Sequence, residues 1–190
     1  MKKLLLILFV LFSIGVNAQT ESYLEFKGIP ITGSVDNVMN KLKTQGYVLV
    51  DSNDEIAIVK GQFANEECEI IIAATPKSKQ VYMVLVCFEE KESWWTLKSD
   101  YKKLKEQITA KYNVKPKSTE RFIDPYYEGD GYELQALRKD KCRYHCEFKL
   151  TNGKIDILLS DEASVYLYYT DAIGEKLNEQ EENQSSYDDL

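Results

Sequence analysis

Histidine is nearly missing from this chain: His145 is the only one among 190 residues. Much general acid–base, triad and zinc chemistry runs through imidazole, so its scarcity removes a large part of the catalytic repertoire. Neither a Gly-x-Ser-x-Gly elbow nor a His-Glu-x-x-His helix is present to supply the rest of a site. Positive charge is also short, with 24 Lys and Arg against 31 Asp and Glu. That balance repels phosphate backbones, and no nucleic-acid partner is expected. Long apolar runs are limited to Leu4 through Val16, and no other stretch is apolar for long enough to cross a bilayer.

That one run is preceded by Lys2 and Lys3, is interrupted only by Ser13 and Gly15, and is followed by the small residue Ala18 two positions after Val16. A charged n-region, a short apolar h-region and a small-residue boundary predict a signal peptide over residues 1–18. The mature protein then begins at Gln19, with no Cys there to carry a lipid, and is periplasmic or secreted. Removing 18 of 190 residues leaves 172, one ordinary domain or two small ones sharing a sheet. Losing Lys2 and Lys3 leaves 22 basic against 31 acidic residues, a net charge of −9. Seven acids from Asp171 to Asp189 face Lys176 alone, and residues 174–190 read as a disordered acidic tail.

Four cysteines in an exported chain raise the question of disulfides. If 76–79 is a hairpin loop, Thr75 faces Gln80 and the same register sets Cys68 directly across from Cys87. A Cys68–Cys87 disulfide is therefore predicted. Cys142 and Cys146 lie four apart on one strand, about 13 Å from each other at ~3.3 Å per residue, well beyond the ~7 Å between Cα atoms that a disulfide tolerates. They read as buried thiols.

Along the chain, Phe26 to Gly33 is extended and rich in turn residues, and Ser34 caps a helix whose Val35, Val38, Met39 and Leu42 share one face before Gly46 stops it. Strands follow over 47–51, 55–60, 68–75 and 80–89, an antiparallel meander. A second helix is capped by Ser93, with Trp94, Leu97, Tyr101, Leu104 and Ile108 on its buried stripe and a solvated lysine-rich face opposite, and it ends near Tyr112 or Asn113. Residues 114–131 read as irregular, and 132–139 as either a short helix or a strand. Strands resume over 142–150, 155–160 and 165–170, with Asn152-Gly153 as the strongest hairpin signal. The order is helix then strands, twice over, with Cys68-Glu69-Ile70 and Cys146-Glu147-Phe148 in corresponding places. This predicts an α+β fold of two tandem units, 19–113 and 114–173, each a helix packed on an antiparallel sheet and together forming one curved sheet.

Three groups of residues are candidates for function. His145 falls on the wet face of its strand between Arg143 and Glu147 and reads as an exposed strand histidine, leaving no catalytic residue to assign. The loop Asp124 to Glu133 gathers Asp124, Glu128 and Asp130 with two glycines, weak candidates for a hard cation whose spacing does not match the twelve-residue calcium loop. No cofactor is expected. The thirteen tyrosines are more informative, with Tyr126 and Tyr127 in that loop and Tyr166, Tyr168 and Tyr169 on the last strand. Strand 81–88 is apolar on both faces, so a tyrosine-bearing sheet face needs internal packing, a second copy of the chain or a partner to cover it.

The opening Phe26-Lys27-Gly28-Ile29-Pro30-Ile31-Thr32-Gly33, with Asp130-Gly131-Tyr132-Glu133 and Lys141-Cys142 further on, resembles a large set of uncharacterised exported proteins of Gram-negative, gut-type bacteria. The layout is also similar to the β-lactamase inhibitor protein fold, in which two helix-plus-strand units form one curved sheet that grips a protein partner. The first resemblance brings no known activity, and the second carries no inhibitory residues across. Together the sequence predicts a non-enzymatic binding module that holds a protein or peptide on Tyr126, Tyr127, Tyr166, Tyr168 and Tyr169. The alternatives are a hydrolase of envelope polymers and a structural envelope protein that self-associates as a homodimer.

Overall fold

A computed structural model describes residues 22–188, with side chains to residue 184. The signal peptide predicted over 1–18 and its junction at Gln19 lie outside the described residues. The chain enters through a small hairpin in which β1 (Glu25–Phe26) pairs with β2 (Ile29–Pro30). Its turn residues Lys27 and Gly28 both take positive φ, 51° and 75°, a conformation that glycine adopts without penalty. The hairpin buries Phe26 and Ile29, and Ile31 follows them into the core. α1 (Val35–Thr44) follows, with the Ser34 hydroxyl accepting from Asn37 N and with Val35, Val38, Met39 and Leu42 buried. The predicted cap and face are both observed.

β3 (Val48–Ser52), β4 (Ile56–Phe63), β5 (Glu66–Ala74) and β6 (Val81–Phe88) form the first meander. α2 (Trp94–Tyr112) follows Ser93, whose hydroxyl makes no capping bond, and stops where Asn113 turns left-handed. The second meander comprises β7 (Lys117–Phe122), then, after α3 (Glu133–Arg138), β8 (Cys142–Leu150), β9 (Gly153–Leu159) and β10 (Val165–Asp171). α4 (Ala172–Asp188) ends the described chain. All eight strands from β3 onward make one antiparallel sheet in the order β3-β4-β5-β6-β10-β9-β8-β7. Two four-stranded meanders thus meet at their last strands, with Tyr168 of β10 facing Leu85 of β6. The fold is α+β, four helices packed on a large antiparallel sheet. Among the described residues no helix is long and apolar enough to cross a membrane.

α1 packs on β4 and β5, and α2 on β9 and β10, so the division at 113/114 separates α2 from the strands it covers. Trp94 and Tyr101 of α2 meet the Tyr144 ring edge-on at 5.1 and 5.6 Å between centroids, which anchors the helix over β8. β7 occupies six residues of the segment that reads as irregular in sequence. It is an edge strand bonded only to β8, and its Lys-Ser-Thr-Glu-Arg-Phe sequence has a single apolar residue to reveal it. The ambiguous 132–139 segment is helical in α3.

Of the predicted disordered tail, residues 174–188 are helical, and 189–190 lie outside the described residues. Residues 174–188 continue α4, because Asp171 caps its N-terminus and Gly174 lets it lie directly on Tyr82. Further along, the buried Glu181 carboxylate accepts from the Lys77 and Ser78 backbone N–H groups and from the Ser78 hydroxyl, tying the helix to the β5–β6 turn. Burial alone would raise the Glu181 pKa, but these donors together hold it below the ordinary glutamate range. A depressed folded-state pKa gives stability that is present above the unfolded pKa of about 4.3 and is lost as pH falls through the folded value. The urea stability of wild type should therefore exceed that of Glu181→Gln at pH 7, with the gap closing as pH drops below about 4.

The Cys68–Cys87 disulfide is also corrected, and the cause is one extra residue. Next to the turn the predicted register holds, with Thr75 N donating to Gln80 O and Ala74 facing Val81. The register then shifts between Ala73 and Ala74, so Ala73 faces Met83 and Tyr82 is the extra residue. From there Cys68 faces Phe88 while Glu69 faces Cys87, which puts the two thiols on opposite faces of the sheet. All four cysteines are free. Unreduced protein in denaturant should accordingly bind four equivalents of a thiol reagent, and a count of two would contradict this register.

Candidate functional site

Alternation along the strands divides the sheet into a face under α1 and α2 and a face opposite them. The first takes Val59, Ile70, Ile72, Val84, Val86, Ile157 and Leu167 into the core. On the second, Ile58 pairs with Ile71, Ile71 with Leu85, Leu85 with Tyr168, and Tyr168 with Asp156, one level across five neighbouring strands. A second level runs Lys60, Glu69, Cys87, Tyr166, Leu158 and His145. α4 contacts β6, β10 and β9 at one end, where Gly174 sits on Tyr82 and Glu175 pairs with Lys154. Beyond it Ile58, Ile71, Tyr166, Tyr168 and Leu158 stay half-buried, with no other helix set against them among the described residues.

Tyr166 and Tyr168 are two apart and so share this face, with ring centroids 6.5 Å apart. The Tyr166 hydroxyl donates to Glu162 at 2.9 Å. Burial, with help from that acceptor, pushes its pKa up to about 12, and burial raises Tyr168 as well. Cys87 beside them is pushed up to about 11 by burial and by Glu69 and Glu162. All three are neutral at ordinary pH and form an uncharged floor. A hollow of about 430 Å³ opens over the Cys87 and Tyr166 part of it, lined also by Ile71 and edged by Lys60, Glu69 and Glu162. Lys60 and Glu69 pair at 2.9 Å on its rim.

Not every predicted tyrosine belongs here. Tyr169 lies one residue out of phase and points into the core, 1% exposed, with its ring against Phe26 at 5.1 Å. It is a packing residue, and strict alternation along β10 would have separated it from Tyr166 and Tyr168. Tyr126 packs against the core, and Tyr127 is exposed in the loop before α3. Glu128 in that loop pairs with Lys98 of α2, which packs on the opposite face, so the loop tyrosines form no common surface with Tyr166 and Tyr168.

Glu128 and Asp130 are engaged with their own chain. Asp130 accepts from Tyr127 N and Tyr132 N, Glu128 holds Lys98, and Asp124 precedes the cis bond to Pro125. Among the described residues no group of three metal-ligating side chains converges, and Asp124, Glu128 and Asp130 do not share a centre.

His145 is half-buried on the open face and hydrogen-bonds Asp156 at 2.7 Å, a pair that resembles a base and its orienting acid. The nearest thiol at its level is Cys87, reached across β10 and β9, three strand spacings or about 14 Å away. That is far outside the hydrogen-bond reach a nucleophile and its base require. Leu158 and Tyr166 fill the space between them. The chain matches no family model, and no match was found among curated proteins or among solved structures.

Proposed function

We propose that the protein is an exported, non-enzymatic binding module that holds a protein or peptide partner on the open sheet face, with Tyr166 and Tyr168 as its anchors. One observation supports this reading above others: an apolar and aromatic band, Ile58, Ile71, Leu85 and Tyr168, laid at a single level across four adjacent strands, in which Ile58, Ile71 and Tyr168 are half-buried and Leu85 is buried between them. Interfaces favour such a centre, built from tyrosine and aliphatic side chains and edged by charge. Here the edge is Lys60 with Glu69 on one side and Asp156 with His145 on the other. Tyrosine presents a large rigid surface at low entropic cost, and the rigid sheet keeps the floor organised before a partner arrives.

The test is affinity capture from an envelope extract with the protein from Gln19 as bait, beside a Tyr166→Glu/Tyr168→Glu bait first shown to be folded. A protein held by the first and lost by the second, and bound again when purified, supports the module. Equal retention by both baits would refute the tyrosine face. Capture of the chain by itself, lost in the variant, would replace the partner with a homodimer.

A further inference from the structure

Arginine occurs only three times, at 121, 138 and 143, whereas the remaining positive charge comes from lysine. The fold brings all three to one corner. Arg121 of β7 stands directly opposite Arg143 of β8, and Arg143 and Arg138 line the same hollow of about 700 Å³ with Lys139 and His145. Both members of the Arg121–Arg143 pair are exposed, and neither guanidinium has an ion-pair or hydrogen-bond partner among the described residues. Asp140 and Asp161 also line the hollow, but neither reaches an arginine, and Arg138 meets only the exposed Glu90 at 3.2 Å. Like charges set directly across an antiparallel pair repel, with Cβ atoms about 5 Å apart. In an acidic protein with acids to spare, an uncompensated pair of this kind is unusual.

The geometry points to an oxyanion-binding corner in which Arg121 and Arg143 together clasp one phosphate or carboxylate group of a ligand, with Arg138 and Lys139 at the rim. Guanidinium forks present paired N–H donors that match such groups, and a lysine ammonium does not offer the same planar fit. A doubly charged group would neutralise the facing pair and turn a repulsion into two charge-assisted contacts. His145 is held by Asp156 and is not needed for this contact. The corner lies at the β7 end of the same open face, and its hollow shares Leu158 and His145 with the margin of the tyrosine band, but the arginine contact uses neither Tyr166 nor Tyr168.

With three arginines the ¹⁵N spectrum holds three side-chain Nε–Hε signals, so the corner is read directly. Sodium phosphate and sodium succinate are titrated against sodium chloride at matched ionic strength. The expected result is a saturating shift of the Arg121 and Arg143 signals with phosphate, with succinate or with both, and the tighter ion tells a phosphate source from a carboxylate one. Arg143→Lys keeps the charge and should weaken that binding at least tenfold. In the absence of either ion, Arg143→Gln should raise the melting temperature by about 2 °C by relieving the repulsion. Shifts reproduced by chloride, or an Arg143→Lys protein that titrates like wild type, would overturn the site.

Discussion

Replacing Asp171 with Ala should lower stability by about 4 kcal/mol and the melting temperature by roughly 10 °C. The side chain is fully buried at the end of β10 and makes three backbone contacts. One oxygen accepts from Leu24 N at 2.8 Å and so fastens the entry of the chain, 147 residues away, to the sheet. The other accepts from Ile173 N at 3.0 Å and Gly174 N at 2.9 Å, the arrangement of a helix N-cap. Hydrogen bonds to a charged group contribute about 1.5–3 kcal/mol, and alanine leaves the buried Leu24 N–H with no acceptor. Asp171→Asn retains one carbonyl acceptor and should lose about half as much. Urea unfolding of the three proteins checks this, and an alanine variant within about 1 kcal/mol of wild type would show that the hub is dispensable.

Gly153→Ala should cost about 3 kcal/mol or more, for a reason its turn motif hides. An added Cβ would sit 2.2 Å from the Thr170 carbonyl oxygen and 3.2 Å from Leu24 Cδ2. The obstacle is backbone of the neighbouring strand, which cannot move without opening the β9–β10 ladder, where Gly153 faces Asp171. Asn152→Ala is the matched control. It gives up only the 2.9 Å bond from its amide to Tyr23 O, for which about 1 kcal/mol is expected. Thermal unfolding of both variants separates the two roles of the Asn-Gly pair, and comparable losses would contradict the close approach.

Much of this architecture was readable from residue periodicity, because α1, α2 and the strands around Asn152-Gly153 carry apolar patterns that match their observed faces. β7 has no such pattern. It is held by its backbone bonds to β8, which a polar edge sequence does not advertise. α4 reads as a solvated acidic run because its fixing contacts, Asp171, Gly174 and Glu181, are a cap, a missing side chain and a buried acid rather than an apolar stripe. The disulfide expectation failed through a single bulge at Tyr82, which no local motif announces and which flips every later side chain of β6.

The candidate face was half legible. Tyr166 and Tyr168 were within reach of sequence reading, and alternation already argued against Tyr169. Their apolar neighbours Ile58 and Ile71 come from strands a hundred residues earlier and are joined to them only by the β6–β10 pairing of the two meanders. The arginine corner had a plain signal in sequence, three arginines between 121 and 143 and none elsewhere, but its significance depends on β7, which the sequence conceals.

The binding account rests on where a partner touches the sheet, and one pair of substitutions tests that directly. With the captured partner purified, its affinity is measured for wild type, Tyr168→Ala and Tyr127→Ala. Tyr168 is half-buried in the band, while Tyr127 is 64% exposed in the loop before α3. The account predicts at least ~30-fold weaker binding for Tyr168→Ala, the loss of an anchor worth about 2 kcal/mol, and less than a ~2-fold change for Tyr127→Ala. A partner that ignores Tyr168→Ala, or that is lost with Tyr127→Ala instead, would contradict it.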